Sequence, residues 1–251
     1  MKLNVSVFII TLNEEKYLAE VLSSVSMFDE IILVDSGSTD NTLSIARSYG
    51  AKIYHKEWEG FSKQKQYALS LCKHDWVLNL DGDEVFNNEL ARAFQKIMSE
   101  DIYSGVRCQR NDFFIGKLPS ELTKKPNNLR FYKRLCANFD SHTIVHETAS
   151  VSGSIVFVNE AFTHYGYNSI EMLCEKQNTY SSLKAEEKFI KGKKYNILKL
   201  LLIYPVTFLK KYILQRHVFS GVRGFIQAML HANYAFLKEA KLYEKYSSKD
   251  K

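Results

Sequence analysis

A doubly wound α/β domain with a mostly parallel sheet, continued by a helical and basic C-terminal region, is the fold this sequence predicts. Three observations carry it. Up to about residue 100, short β-rich apolar runs alternate with amphipathic stretches. Every polar cluster of that region sits immediately after one of those runs. From about Ser169 onward, long lysine-rich amphipathic stretches take over. Strand–helix alternation of this kind builds parallel sheets whose ligands bind at the carboxyl ends of the strands.

Val5 to Leu12 (VSVFIITL) is nearly all apolar, as a strand buried on both faces must be. Asn13 and Glu14 then open a helical stretch with Leu18, Val21, Leu22 and Val25 at helical spacing. Ile31 to Val34 is a second buried strand. Ser38, Thr39 and Asp40 offer N-cap side chains to a helix carrying Leu43, Ile45 and Ala46. The pattern repeats with Ala51 to His55, a helix near Ser62 to Leu71, and a fourth strand, Trp76 to Leu80. Beyond residue 100, short β-like pieces (Tyr103 to Cys108, Leu129 to Tyr132, Ser154 to Val158) are mixed with loops. The division expected is 1–168 for the α/β domain, with a ligand half to about residue 100 and a second half over 101–168, then a helical region over 169–251.

The 251 residues can bury one substantial core, and 45% hydrophobic with 25% charged residues and three prolines is the composition of a folded chain rather than a disordered one. Cys72, Cys108, Cys136 and Cys174 are widely separated and show no CxxC spacing, which indicates neither a zinc site nor a disulfide framework. A cytoplasmic location is the expectation, because the first residues show one lysine and then a strand-like run without a small-residue cleavage site. The net charge of +6 comes mostly from the second half and favours an anionic partner. Leu200 to Leu209, the most apolar stretch, is about half the roughly 20 residues that span a bilayer, and Pro205 interrupts it. Peripheral membrane contact through Lys193 to Arg216 is therefore expected rather than a crossing, with Ile197, Leu200, Leu201, Tyr204 and Phe208 sharing an apolar face. The alternative is that this face packs on the rest of the protein.

The segment after the fourth strand is Asn79-Leu80-Asp81-Gly82-Asp83-Glu84. Two carboxylates one residue apart on a strand-end turn can converge on a hard divalent cation and leave positions for a diphosphate. Alone, such a pair is more often a solvated turn. Here the first strand also ends in Thr11-Leu12-Asn13-Glu14-Glu15, and the second in Asp35-Ser36-Gly37-Ser38-Thr39-Asp40. An acid after the second strand can accept hydrogen bonds from a base or ribose, and the glycine permits close backbone approach. GxGxxG is missing after the first strand, which disfavours a nicotinamide or flavin domain.

Taken together, FIITLNEE (8–15), IILVDSGSTDNT (31–42), KQYAL (65–69) and WVLNLDGDE (76–84) resemble the nucleotide-binding half of family-2 inverting glycosyltransferases with the GT-A fold. The resemblance implies that Asp35 meets the uracil or equivalent base, and that Thr11, Asn13, Glu14, Gly37 and Lys65 surround the nucleotide sugar. It implies that Asp83 binds a divalent metal (Mg or Mn) on the diphosphate, with Asp81 beside it. Gln66 stands where the family commonly has asparagine, a departure at a donor-contacting position. LRFYKR (129–134), IVHE (144–147) and THY (163–165) resemble the branch that adds glucose to the inner-core heptose of lipopolysaccharide. That resemblance implies UDP-glucose as donor, a glycolipid acceptor, the cytoplasmic face of the inner membrane as workplace, and Arg130, Arg134 and His146 toward acceptor or diphosphate. Glu147 is expected to be the catalytic base, with Glu84 and Asp140 next in line. The structural alternative for Glu147 is an ion pair with Arg130 or Arg134.

Two other readings compete. Leu80-Asp-Gly-Asp-Glu-Val85 also fits the DxDx[TV] signature of haloacid-dehalogenase-like phosphatases, in which Asp81 would be a phosphoryl-accepting nucleophile. That nucleophile belongs after the first strand, whereas Asp81 follows the fourth. A non-enzymatic module binding anionic lipid would explain the basic half but not acids at three strand ends. Nucleic acid is not expected as a partner, since no aromatic platform or nucleic-acid motif accompanies the charge.

Overall fold

The computed structural model describes residues 2–140, 148–167 and 169–248. The chain divides into two compact units, Met1–Asn111 with Pro126–Tyr165, and Asp112–Lys125 with Gly166–Lys251. The stretch Asp112–Lys125, which the sequence reading places in the second half of the α/β domain, thus groups with the C-terminal helices.

In the first unit β1 (Leu3–Thr11), β2 (Phe28–Asp35), β3 (Lys52–His55) and β4 (Trp76–Asp81) are joined through α1 (Glu15–Ser24), α2 (Thr42–Ser48) and α3 (Phe61–Leu71). Each helix supplies the crossover that parallel pairing requires, and β3-β2-β1-β4 is parallel throughout. Strand β1 is central, so both its faces are covered, which is why Val5, Val7, Phe8 and Ile9 are all fully buried. Beyond β4 come β5 (Glu84–Val85), α4 (Asn88–Glu100), β6 (Gly105–Phe114), β7 (Asn127–Lys133), the short pair β8 (Ala137–Asn138) and β9 (Ser150–Val151), and β10 (Ile155–Tyr167). The sheet order is β3-β2-β1-β4-β7-β6-β10-β5. The pairs β4–β7, β6–β7 and β10–β5 are antiparallel. The predicted parallel sheet is therefore the half built by β1–β4, and its continuation is antiparallel.

Helix α4 shows how the core is closed. Asn87 caps it by accepting the Leu90 N–H at 2.9 Å, and Leu90, Phe94 and Ile97 fall on one buried face. Phe94 lies flat on Phe131 of β7 with ring centroids 4.2 Å apart, and Trp76 covers the same ring at 4.7 Å. On the other face of the sheet Phe8, Ile32, Val34, Ala68, Leu69 and Tyr132 form a second cluster.

Strand β1 leads through α1 to β2 on one side, while β4 returns to its other side. The order therefore reverses between β1 and β4. Such a switch point leaves a crevice outside the carboxyl ends of the two strands, the place where ligands bind in open α/β sheets.

The second unit holds α5 (Ile170–Ile190), α6 (Ile197–Leu209), a π-helical turn at Lys210–Leu214, a 3₁₀ turn at His217–Ser220 and α7 (Gly221–Ser247). Ser169 and Asn196 cap α5 and α6 by accepting the N–H groups of Met172 and Lys199. Helix α7 packs on both: Lys188 and Lys199 converge on the buried Glu239, and the Tyr204 hydroxyl reaches Met229 Sδ at 3.3 Å. The Asp112–Lys125 stretch is tied in by Lys124 N–H to the Gln215 carbonyl (3.0 Å) and Ser120 N–H to Ser220 Oγ (3.0 Å). Pro205 does not end α6, which runs on to Leu209 before passing into the π turn.

Candidate active site

The loops after β1 and β2 are zipped together by side-chain to backbone bonds. Asn13, at a left-handed φ of 57°, donates its N–H to Ser38 Oγ (2.9 Å) and accepts the Thr39 N–H on Oδ1 (2.8 Å). Glu14 N–H goes to Thr42 Oγ1 (2.8 Å), Glu15 N–H to Asp40 Oδ2 (3.1 Å), and Glu15 Oε2 accepts from Asn41 N–H (3.0 Å). Asp35, buried at the end of β2, accepts the N–H groups of Gly37 (2.8 Å) and Ser38 (2.9 Å) on one oxygen. Its other oxygen accepts from the hydroxyls of Thr11 (3.3 Å) and Ser38. The turn depends on Gly37, whose φ of 103° side chains rarely tolerate. Asp35, expected at the base, is thus first an organiser of this turn, and Thr11 is its partner.

At the switch point Gly82 lies beneath Glu14: a Cβ there would come within 2.8 Å of Glu14 Cγ and 3.0 Å of its Cβ. Glycine is what lets the β1 loop close on the β4 turn.

Around that turn sits a compact charge cluster. Lys65 of α3, only 4% exposed, places Nζ 3.1 Å from Asp81 Oδ1. Arg130 of β7, 7% exposed, reaches Asp81 Oδ2 at 2.9 Å and also binds Oε1 of the fully buried Glu84. Glu84 Oε2 in turn accepts the Asp81 N–H at 3.1 Å. Removal from bulk water would raise the pKa of Asp81, but Lys65 and Arg130 outweigh it and hold the carboxyl well below the usual carboxylate range. Burial dominates at Glu84 and raises its pKa against the pull of Arg130. At Arg130 burial is outweighed by Glu84 and Asp81, and the guanidinium stays charged.

Asp83 faces different company. Its Oδ2 lies 3.6 Å from Nε2 of the buried His164, and its carbonyl accepts the Tyr165 N–H at 2.9 Å. Both contacts come from the pairing of β5 with β10, which sets His164 opposite Glu84. Asp81 is thus compensated by two protein cations, whereas Asp83 has an imidazole beside it. No group of three His, Cys, Asp or Glu that could hold a metal forms among the described residues.

Thr11, Asn13, Glu14, Asp35, Gly37, Lys65, Asp81, Asp83 and Arg130 are gathered at or around the strand ends. Gln66 instead uses Oε1 to accept the Phe139 N–H at 2.9 Å. Arg134, expected toward acceptor or diphosphate, lies at the other end of β4 from Asp81. It follows Lys133, which pairs with Trp76 at the start of β4, and its N–H donates to the Asp75 carbonyl at 2.7 Å. The strand length puts it roughly 16 Å or more from Asp81. Glu84, next in line as base, is fully buried against Arg130. His146 and Glu147 lie outside the described residues. Sequence reasoning passed over His164 and the pairing role of Glu84; their signal was the THY and DGDE segments, but nothing local joins residues 80 positions apart.

Known proteins resemble this chain in sequence and in fold. A family model described as Glycosyl transferase family 2 matches residues 6–163. The lipopolysaccharide core biosynthesis glycosyltransferase LpsC of Rhizobium meliloti is 34% identical over 256 residues, covering 99% of this chain and 95% of that protein. The uncharacterized glycosyltransferase RT0209 of Rickettsia typhi is 34% identical over 253 residues, covering 96% and 87%. Among solved structures, S. aureus TarS 1–349 in complex with UDP-GlcNAc superposes with a TM-score of 0.51 at 18% identity, over 99% of this chain and 92% of that one.

Proposed function

Because this chain belongs to glycosyltransferase family 2, we propose that it moves glucose from UDP-glucose, with inversion, onto a lipopolysaccharide-core or related bacterial surface glycolipid. The single observation that carries this reading is the coincidence of a family match over residues 6–163 with a strand-end acid cluster at the β1/β4 switch point. LpsC, named for lipopolysaccharide core biosynthesis, supports the acceptor class, and TarS, solved with UDP-GlcNAc, supports a uridine nucleotide sugar.

Each residue then has a task. The Asn13–Ser38–Thr39 zipper and the Asp35 turn form the base-side wall. Lys65 and Arg130 lock Asp81, so the Gly82 turn keeps one orientation and Asp83 is aimed by β5. Asp83 and His164, a carboxylate and an imidazole with Oδ2 and Nε2 3.6 Å apart, are of the donor types a divalent cation takes and would hold it beside the diphosphate. Bound there, Mg or Mn would neutralise the charge growing on the departing nucleoside diphosphate. Glu147, proposed as base from the sequence resemblance, would take the proton of the attacking hydroxyl.

The phosphatase reading loses its ground, since Asp81 ends the fourth strand and is bound by two cations instead of standing free for attack. A donor screen tests the proposal: nucleotide sugars are incubated with purified protein and a truncated core glycolipid, with product configuration read by NMR. UDP-glucose should be consumed only with acceptor present and should yield a β-linkage. Turnover of another nucleotide's sugar, or an α-linked product, would replace it.

A further inference from the structure

Helix α6 and the turn after it present to the outside what a water-soluble helix normally buries. Leu198 (66% exposed), Leu201 (68%), Leu202, Val206, Leu209, Ile213 and Leu214 (73%) are all uncovered, and α6 contains no buried residue. Their spacing of three to four residues puts most of them on one stripe. The opposite side is the packed one: Tyr204 bonds to Met229, and Phe208 meets Phe225 at 5.6 Å. Of the apolar face expected from sequence, Leu200, Tyr204 and Phe208 are half-buried in packing, whereas Ile197 and Leu201 are exposed. Phe219 and Val222, at the turn into α7, extend the uncovered apolar surface.

The charge around it has one sign. Between Glu187 and Glu239 the chain carries ten lysines and arginines and no acid. Lys210, exposed at the end of α6, borders the stripe, whereas the Lys199 ammonium on the same side is held by Glu239. Lys193, Lys194 and Arg216 are exposed at its two ends. No described helix is long and apolar enough to cross a membrane.

We propose that the α6 stripe, continued by the Lys210–Leu214 turn, lies in the headgroup boundary of an anionic lipid bilayer. The apolar side chains enter the acyl region while the flanking lysines and arginines meet lipid phosphates. Exposed cations at both ends of an exposed apolar stripe, Lys193 and Lys194 at one and Lys210 and Arg216 at the other, are complemented by an anionic bilayer, whose headgroups meet the charges while its acyl region takes the stripe. This surface belongs to the second unit alone, and the proposal stands independently of the sugar chemistry.

The test uses the full chain and sedimentation with phosphatidylcholine vesicles or vesicles containing 30% phosphatidylglycerol, about the anionic fraction that gives a strong surface potential, at low and high salt. The anionic vesicles should bind at least tenfold better at low salt and lose that advantage at high salt. Leu201→Asp with Leu209→Asp should lower binding at least tenfold, and Lys193→Glu, Lys194→Glu and Lys210→Glu together should remove the preference for anionic lipid. Circular dichroism melts of both variants serve as the folding control. If either set melts early, Leu201→Ser with Leu209→Ser and the charge-neutral Gln variants repeat the comparison. Unchanged vesicle binding in folded variants, or no binding by the parent, overturns the proposal. So does light scattering that shows a dimer which the Asp variant splits while vesicle binding persists, since the stripe would then cover a second copy.

Discussion

Asp81 and Asp83, separated by one residue, live in different electrostatic surroundings, and the proposed function gives the first a structural and the second a metal-binding role. Asp81 ends a strand between two buried cations, so its charge is already balanced. Asp83 sits past the Gly82 turn with Nε2 of His164 3.6 Å from its Oδ2, and under the proposed function it is the metal ligand. Asp83→Ala should therefore abolish turnover, by roughly 100-fold or more, the scale of losing a few kcal/mol of transition-state stabilisation. The fold should survive, because the Asp83 contact to His164 is long, at 3.6 Å, and the buried Lys65–Asp81–Arg130–Glu84 cluster is untouched. Steady-state assay beside a thermal melt checks this, and a folded variant with parental kcat would remove Asp83 from the site. Glu147→Gln keeps shape and removes basicity, so donor affinity should hold while transfer slows by roughly 100-fold. Near-parental transfer would pass the base to another acid, with Asp140 next.

At the scale of elements, α4 and α5 are held by different forces. Phe94 buries its whole ring on Phe131, so Phe94→Ala should cost about 3–5 kcal/mol in urea denaturation, from lost transfer energy and the cavity left behind. A loss under about 1 kcal/mol would mean that the α4–β7 contact closes over the gap. On α5, Glu187 bonds to Lys184 and Lys191, and these hydrogen bonds pull its pKa from 4.5 to about 2. A depressed carboxylate stabilises the folded chain above its ordinary pKa, and that contribution disappears as pH falls through the folded value. Glu187→Gln should accordingly lower the melting temperature slightly at pH 6 and make no difference near pH 2. An equal difference at both would show that the ion pairs are inert, a common fate of exposed pairs.

For the whole molecule, the acid cluster lies at the carboxyl ends of the parallel strands of the first unit, and the second unit carries the acid-free stretch. If Asp83 and the diphosphate share a divalent cation as proposed, nucleotide and cation should need one another. Calorimetric titration with UDP should give an affinity at least tenfold weaker in EDTA than with excess Mg or Mn, a gap of about 1.4 kcal/mol. Equal affinities would mean that Lys65 and Arg130 carry the diphosphate without a metal.

The sequence by itself determined the four parallel strands, their crossover helices and the strand-end clusters, because a strand buried on both faces must be apolar and a helix start must supply caps, and both are local demands. It also carried the family, through motifs lying in order over the first third of the chain. Only the tertiary structure decided which residues meet. Arg130 reaches Asp81 across 49 positions, His164 stands beside Asp83 because β10 pairs with β5, and Arg134, four residues after Arg130, is carried away by the rise of the strand. It also decided that α6 packs with one face and exposes the other, since periodicity marks an apolar residue but not what covers it. Contacts between distant positions are set by strand register, and register is a property of the assembled sheet.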